Sequence, residues 1–146
     1  MISQNQAADA IAVAAMMDKW AIRELTARYN HAFDDADPVA FAAQFTDDGV
    51  FDIVGKMVVE GREALEDTVR KIGYGVVHAT TDATVSIDGD MATQTCTLLV
   101  VSRTRDGAKQ RLLGTGRYQD DLIRTSSGWL FSRRRFFMDR DLLPDS

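Results

Sequence analysis

Along this chain hydrophobic positions are spaced by three and four residues in the first third and alternate after Val76, with a short hairpin and one further helix between. From Ile22 the apolar or aromatic residues Leu25, Tyr29 and Phe33 follow at steps of three and four, which is one face of an amphipathic helix. Lys19, Arg23, Glu24 and Arg28 fall on its other faces. The Ala-rich stretch from Gln6 to Met17 has high helix propensity and predicts a separate helix or a bent extension. Asp34-Asp35-Ala36-Asp37-Pro38 closes this unit and opens another. Asp37 suits an N-cap and Pro38 the first helical position, so a short helix carrying Val39, Phe41 and Phe45 is expected.

Asp47-Asp48-Gly49 reads as a turn. Residues 50–54 and 57–60 then read as two short strands of a hairpin around Gly55-Lys56. A helix opens at Gly61-Arg62-Glu63-Ala64, places Leu65, Val69 and Ile72 on one face and ends near Gly73. After Val76 the texture is that of strands, expected over 76–88, 91–104, 110–123 and 128–139. Ile87-Asp88-Gly89-Asp90, Asp106-Gly107 and Ser126-Ser127-Gly128 mark the turns between them. Short turns require antiparallel neighbours, because parallel strands need long crossovers. Helices, a hairpin, a helix and then a meander predict a single α+β domain over 1–146, with a curved, mainly antiparallel sheet folded around the helices to enclose a pocket.

Composition narrows the function. With 146 residues, 45% hydrophobic and 27% charged, the chain suits one soluble domain. A net charge of −5 argues against nucleic acid, whose affinity depends on neutralising phosphates. Arg133-Arg134-Arg135 is a local exception, but side chains along a strand alternate between faces and form no single basic patch. Cys96 is the only cysteine, which excludes an internal disulfide and a Cys-based metal site. The N-terminal residues lack a basic leader and no stretch is long enough to span a membrane, so a cytoplasmic protein without membrane contact is expected.

Only two histidines are available for proton transfer, His31 and His78. His31 lies off the apolar stripe and reads as a partly exposed helical residue. His78 shares strand parity with the solvent-facing set Thr80, Asp82, Thr84 and Ser86, so it reaches a pocket only across a bulge or strong bend. Tyr29 and Asp34 would be about 140° apart on an unbroken helix and meet only if it turns near Phe33. A buried Tyr29 hydroxyl needs a partner and could donate to a substrate oxygen. The arginine run sends at least one guanidinium to each sheet face, and a buried one must find an acid or a ligand. Gly114 and Gly116 on one face make room for a pocket or for curvature. No nucleophile elbow, phosphate loop, dinucleotide fingerprint or metal-ligand spacing is present.

Ala21-Ile22-Arg23-Glu24-Leu25, Tyr29, Asp34, Phe45-Thr46-Asp47-Asp48-Gly49, Gly61-Arg62-Glu63-Ala64, the His78 strand, Arg117-Tyr118 and Gly128-Trp129 together resemble SnoaL-like domains of the NTF2-like superfamily. The resemblance spans roughly residues 16–139 and rests on order and spacing. Within the superfamily the chain is similar to scytalone dehydratase, bile-acid dehydratase and the dehydrochlorinases. That likeness implies an NTF2-like cone and a cofactor-independent, metal-free lyase using a His–Asp pair, which matches His78 and Asp34. It also implies pocket roles for Tyr29 and Arg134, while Phe33, Phe51, Phe136 and Met138 would wall a small hydrophobic cyclic substrate. Where the bile-acid dehydratase carries a further acid on the strand after the histidine, this chain has an apolar residue at or near Val100. Alternatives implied by the same resemblance are a ketosteroid-isomerase-like or polyketide-cyclase-like isomerase with Asp34 as base, and a noncatalytic binding or assembly module such as an oxygenase small subunit. A homo-oligomer, dimer or trimer, is expected.

Overall fold

The computed structural model describes residues 1–104 and 109–139; the turn expected at Asp106-Gly107 lies outside them. Three helices, α1 (Gln4–Asp34), α2 (Pro38–Ala42) and α3 (Arg62–Ile72), accompany six strands. The strands are β1 (Phe45–Ile53), β2 (Met57–Glu60), β3 (Val76–Asp88), β4 (Met91–Ser102), β5 (Leu112–Thr125) and β6 (Gly128–Met138). They form one sheet in the order β2-β1-β6-β5-β4-β3. β3 to β6 are the expected antiparallel meander, whereas β1 runs parallel to β6.

The Ala-rich segment is not a separate helix but the first half of α1, because neither Gly nor Pro interrupts the sequence from Gln4 to Asp34. Ser3 caps it, accepting from the Gln6 amide while the Gln6 side chain accepts from the Ser3 amide. This helix is about 46 Å long at 1.5 Å per residue. Burial begins only at Ile22, and Ile22, Leu25, Tyr29 and Phe33 then form the predicted core stripe. Asp18 ties the middle of the helix to the β5–β6 hairpin. Its carboxylate accepts from Arg124 at 2.7 and 2.8 Å and from Trp129 Nε1 at 3.0 Å.

Asp37 caps α2 through the Ala40 amide, as expected. Phe45, however, opens β1 instead of closing α2, and Asp47-Asp48-Gly49 lies within that strand. The turn signal there becomes a register irregularity between Phe45 and Val50 against β6. Gly55, at φ +79°, turns the β1–β2 hairpin. Gly116 serves close packing: a Cβ there would stand 2.4 Å from both the Phe136 ring and the Phe137 carbonyl oxygen.

The core lies between α1, α2, α3 and the concave sheet. Tyr29 touches Phe41, Phe45, Phe51, Tyr118 and Phe131, with centroids 4.9–6.3 Å apart. Each such side chain contributes roughly 1.5–3 kcal/mol by leaving water.

Candidate functional site

α1 runs beside edge strand β3, and polar side chains join the two. The last helical residue, Asp34, reaches His78; Asn30 Nδ2 donates to Thr80 Oγ1 at 2.9 Å; Arg23 donates to the Ala83 carbonyl at 3.0 Å. β3 makes this possible by changing parity. Thr81 pairs with Thr97 but Thr84 with Thr95, so one extra residue bulges from β3, and Asp82 takes φ +56° there. His78 and Thr80 are turned inward before the bulge, Ala83, Val85 and Ile87 after it.

His78 Nδ1 lies 2.6 Å from Asp34 Oδ1, and the His78 backbone N–H donates to both carboxylate oxygens at 3.1 and 3.0 Å. A carboxylate only accepts, so Nδ1 carries the proton and Nε2 keeps the basic lone pair. Phe33 packs edge-on against the imidazole at 4.7 Å. The two side chains are 8% and 6% exposed, dry enough to strengthen the pair yet not sealed. Val100 faces His78 across the β3–β4 ladder, so the apolar residue expected there is in place. Beside the dyad, Arg103 lies over the Tyr74 ring at 4.2 Å, and its guanidinium is 3.9 Å from Asp35.

His78 lines a cleft of about 560 Å³ between α1 and β3. Arg23, Thr26, Asn30 and His31 contribute from the helix, Thr80, Thr81 and Asp82 from the edge strand, and Gln94 from β4. The floor meets a second polar centre. Arg134 Nε and Nη2 donate to the two Asp120 oxygens at 2.8 Å each, with both side chains 0% exposed. Gln94 Nε2 donates to Asp120 at 2.9 Å and to Thr26 Oγ1 at 2.7 Å. Three rings, Tyr118, Phe131 and Tyr29, lie 4.0–4.3 Å from the guanidinium carbon. Burial works against the charge on Arg134, but the Asp120 carboxylate holds its pKa above the usual range. Burial likewise pushes the Tyr29 hydroxyl up to about 12.

The structure thus divides the sequence candidates into two centres one turn of α1 apart. His78, Asp34 and Phe33 form one. Tyr29 and Arg134 belong to the other, since α1 stays regular through Asp34 and turns away only after Asp35, so Tyr29 and Asp34 keep their angular separation. Tyr29 Oη has no partner with hydrogen-bond geometry among the described residues. Phe51 and Phe136 pack around that second centre, against Tyr29 and Tyr118 respectively. Met138 is 40% exposed at the end of β6, with Lys56 Nζ 3.4 Å from its sulfur. Sequence reasoning missed Asp120, Gln94, Thr26, Asn30 and Thr80. The one available signal was that a buried arginine requires an acid. Among the described residues no three His, Cys, Asp or Glu side chains are grouped to hold a metal ion.

Comparison with known proteins agrees with this architecture. A point variant of the Mycobacterium tuberculosis protein Rv3472, of unknown function, superposes with a TM-score of 0.81 at 33% identity, covering 90% of this chain and 77% of that one. An NTF2-like protein with a cystatin-like fold from Novosphingobium aromaticivorans gives 0.81 at 26% identity, over 96% and 92%. A protein of the same organism, provisionally named a scytalone dehydratase, gives 0.78 at 20% identity over 92% and 94%, a likeness of fold alone. Comparison with curated proteins finds no sequence match. The family model of the SnoaL-like domain matches residues 14–135, which takes in the last two thirds of α1, the bulged β3 and β6 as far as the arginine run. On that match and those structural neighbours, the chain belongs to the SnoaL-like domain family, with an NTF2-like fold.

Proposed function

We propose that this protein is a cofactor-independent lyase that removes a proton and a leaving group from a small, hydrophobic cyclic substrate. The observation that carries the reading is the 2.6 Å contact between His78 Nδ1 and Asp34, made by a histidine that lines a cleft. Asp34 orients the imidazole and offsets the charge it gains, while Nε2 takes a proton from a carbon activated by a neighbouring carbonyl. Phe33 supplies an apolar wall beside the base, while Phe51 and Phe136 act only through the core packing behind the cleft and Met138 lies away from it at the end of β6. Tyr29 and Arg134 serve as positioning residues: the guanidinium stacks on the tyrosine and holds that stretch of α1 against the sheet. Homo-oligomer formation belongs to the same reading, supported by Ile11, Met16, Met17 and Trp20, which α1 leaves exposed. Among the described residues no helix is long and apolar enough to cross a membrane.

The test is a panel of cyclic β-hydroxy ketones, followed by the absorbance of the enone product. His78→Gln and Asp34→Asn should each lower turnover by about 10²-fold or more, with circular dichroism unchanged. Full turnover by His78→Gln overturns the lyase reading. If Asp34→Asn alone is inactive, a carboxylate-based isomerase takes its place.

A further inference from the structure

Both histidines of the chain line the same cleft, one from each wall. His78 belongs to the strand wall, whereas His31 stands on α1, three residues before Asp34. That spacing places His31 and Asp34 on one helix face with Cβ atoms about 5–6 Å apart, and Asp34 grips His78. Thus the two histidines stand at the same end of the cleft, His31 on its helix wall and His78 on its strand wall, with Asp34 behind His78. His31 is exposed, and its imidazole has no hydrogen-bond or ion-pair partner among the described residues. The other charged groups lining the cleft are Arg23, whose guanidinium donates to the Ala83 carbonyl, and Asp82 on the bulge.

An elimination that expels hydroxide needs an acid as well as a base, because hydroxide leaves poorly unless it is protonated as the bond breaks. We propose that His31 is that acid, a second catalytic residue facing His78 across the bound ring. This inference rests on the reading of His78 as the base. In the step, the C–H bond breaks and its proton goes to His78 Nε2. The electron pair forms the C=C bond, and the C–O bond breaks with its own pair. His31 protonates the departing oxygen, which leaves as water. Afterwards His78 releases one proton to solvent and His31 takes one up, so no oxidant or reductant is consumed. With base and acid on opposite walls, a ring lying between them meets one on each face.

Two probes that yield the same product separate the roles: 3-hydroxycyclohexanone, with a poor leaving group, and 3-(4-nitrophenoxy)cyclohexanone, with a good one. His31→Gln should lower turnover of the hydroxy ketone by about 10²-fold, and its loss on the nitrophenoxy ketone should be at least about tenfold smaller. His78→Gln should lose both. Equal loss of the two probes in His31→Gln, or loss of neither, overturns the role of His31 and leaves His78 standing. Retention of both by His78→Gln overturns the base instead, and failure of the unsubstituted protein on both probes overturns the two together. His31 is on the surface, so its substitution leaves the fold intact, and an unchanged melting temperature checks this.

Discussion

Two buried carboxylates that each hold a basic side chain lie against α1 in this protein, one pair meeting it at Thr26 and the other at Asp34, and they are built to opposite ends. Asp120 and Arg134 are sealed, both at 0% exposure, with a bidentate fork and three aromatic rings around the guanidinium. Asp34 and His78 are nearly as dry, but His78 lines a cleft. Arginine does not release its proton in a protein, so the sealed pair is a fixed ionic joint between β5, β6 and, through Thr26, α1. Histidine keeps a second ring nitrogen that can take up and give back a proton, so the same kind of contact at the cleft wall becomes a device for moving one. Partner chemistry and access to solvent, not proximity alone, separate structural from reactive ion pairs.

The sharpest way to break this contrast is to remove the acid from each pair. Asp120→Ala leaves a buried guanidinium without its counter-charge and should cost about 3–5 kcal/mol in urea unfolding. Asp34→Asn should cost only about 1–2 kcal/mol in the same measurement, because the amide oxygen can still accept from the His78 ring and backbone N–H groups. Its turnover should nevertheless collapse, while any soluble Asp120→Asn retains measurable activity. If Asp34→Asn destabilises as much as Asp120→Ala, the two pairs are alike and the contrast fails.

A third pair extends the series to the surface. Arg124 and, secondarily, Trp129 hold the Asp18 carboxyl below its ordinary value of 3.8. A depressed folded pKa means that the contribution is complete above the unfolded value and is lost as pH falls through the folded one. Asp18→Asn should therefore cost at most about 1 kcal/mol at pH 7, and the difference from the unsubstituted protein should shrink below about pH 4. Melting curves across pH 2–7 give the answer. A constant difference would mean that Asp18 acts through packing rather than charge.

Much of this was legible along the chain. The Ile22–Leu25–Tyr29–Phe33 stripe, the Asp37-Pro38 cap and the meander could be read because each is set by local spacing or turn chemistry. The inward turn of His78 could be posed only as a condition, since parity forbade it without a bulge; the irregularity between Thr81 and Thr84 meets that condition. The partner of Arg134 was hidden for a related reason. Counting back from the Thr125–Gly128 turn in plain register puts Asp120 opposite Arg133. A shift between Asp121 and Leu122 moves Arg134 there instead. The cleft was hidden because it depends on how α1 lies against β3, a tertiary relation that no periodicity records.

The bulge at Asp82 has one more consequence. Side-chain direction in a strand repeats every two residues, so one extra residue acts as a switch between two states. Straightening the bulge with every residue kept, and Thr84–Asp88 held in their present pairing, would move His78 opposite Val101 and send it to the outer face without altering any residue of the dyad. The orientation of the reactive group is therefore written in whether the chain bulges between residues 81 and 84, as a parity bit rather than a chemical letter. In evolution or in engineering, a change that lets the strand run straight through that point would silence the site while every residue implicated in it stayed in the sequence, whereas deletion of one residue there would leave His78 facing inward.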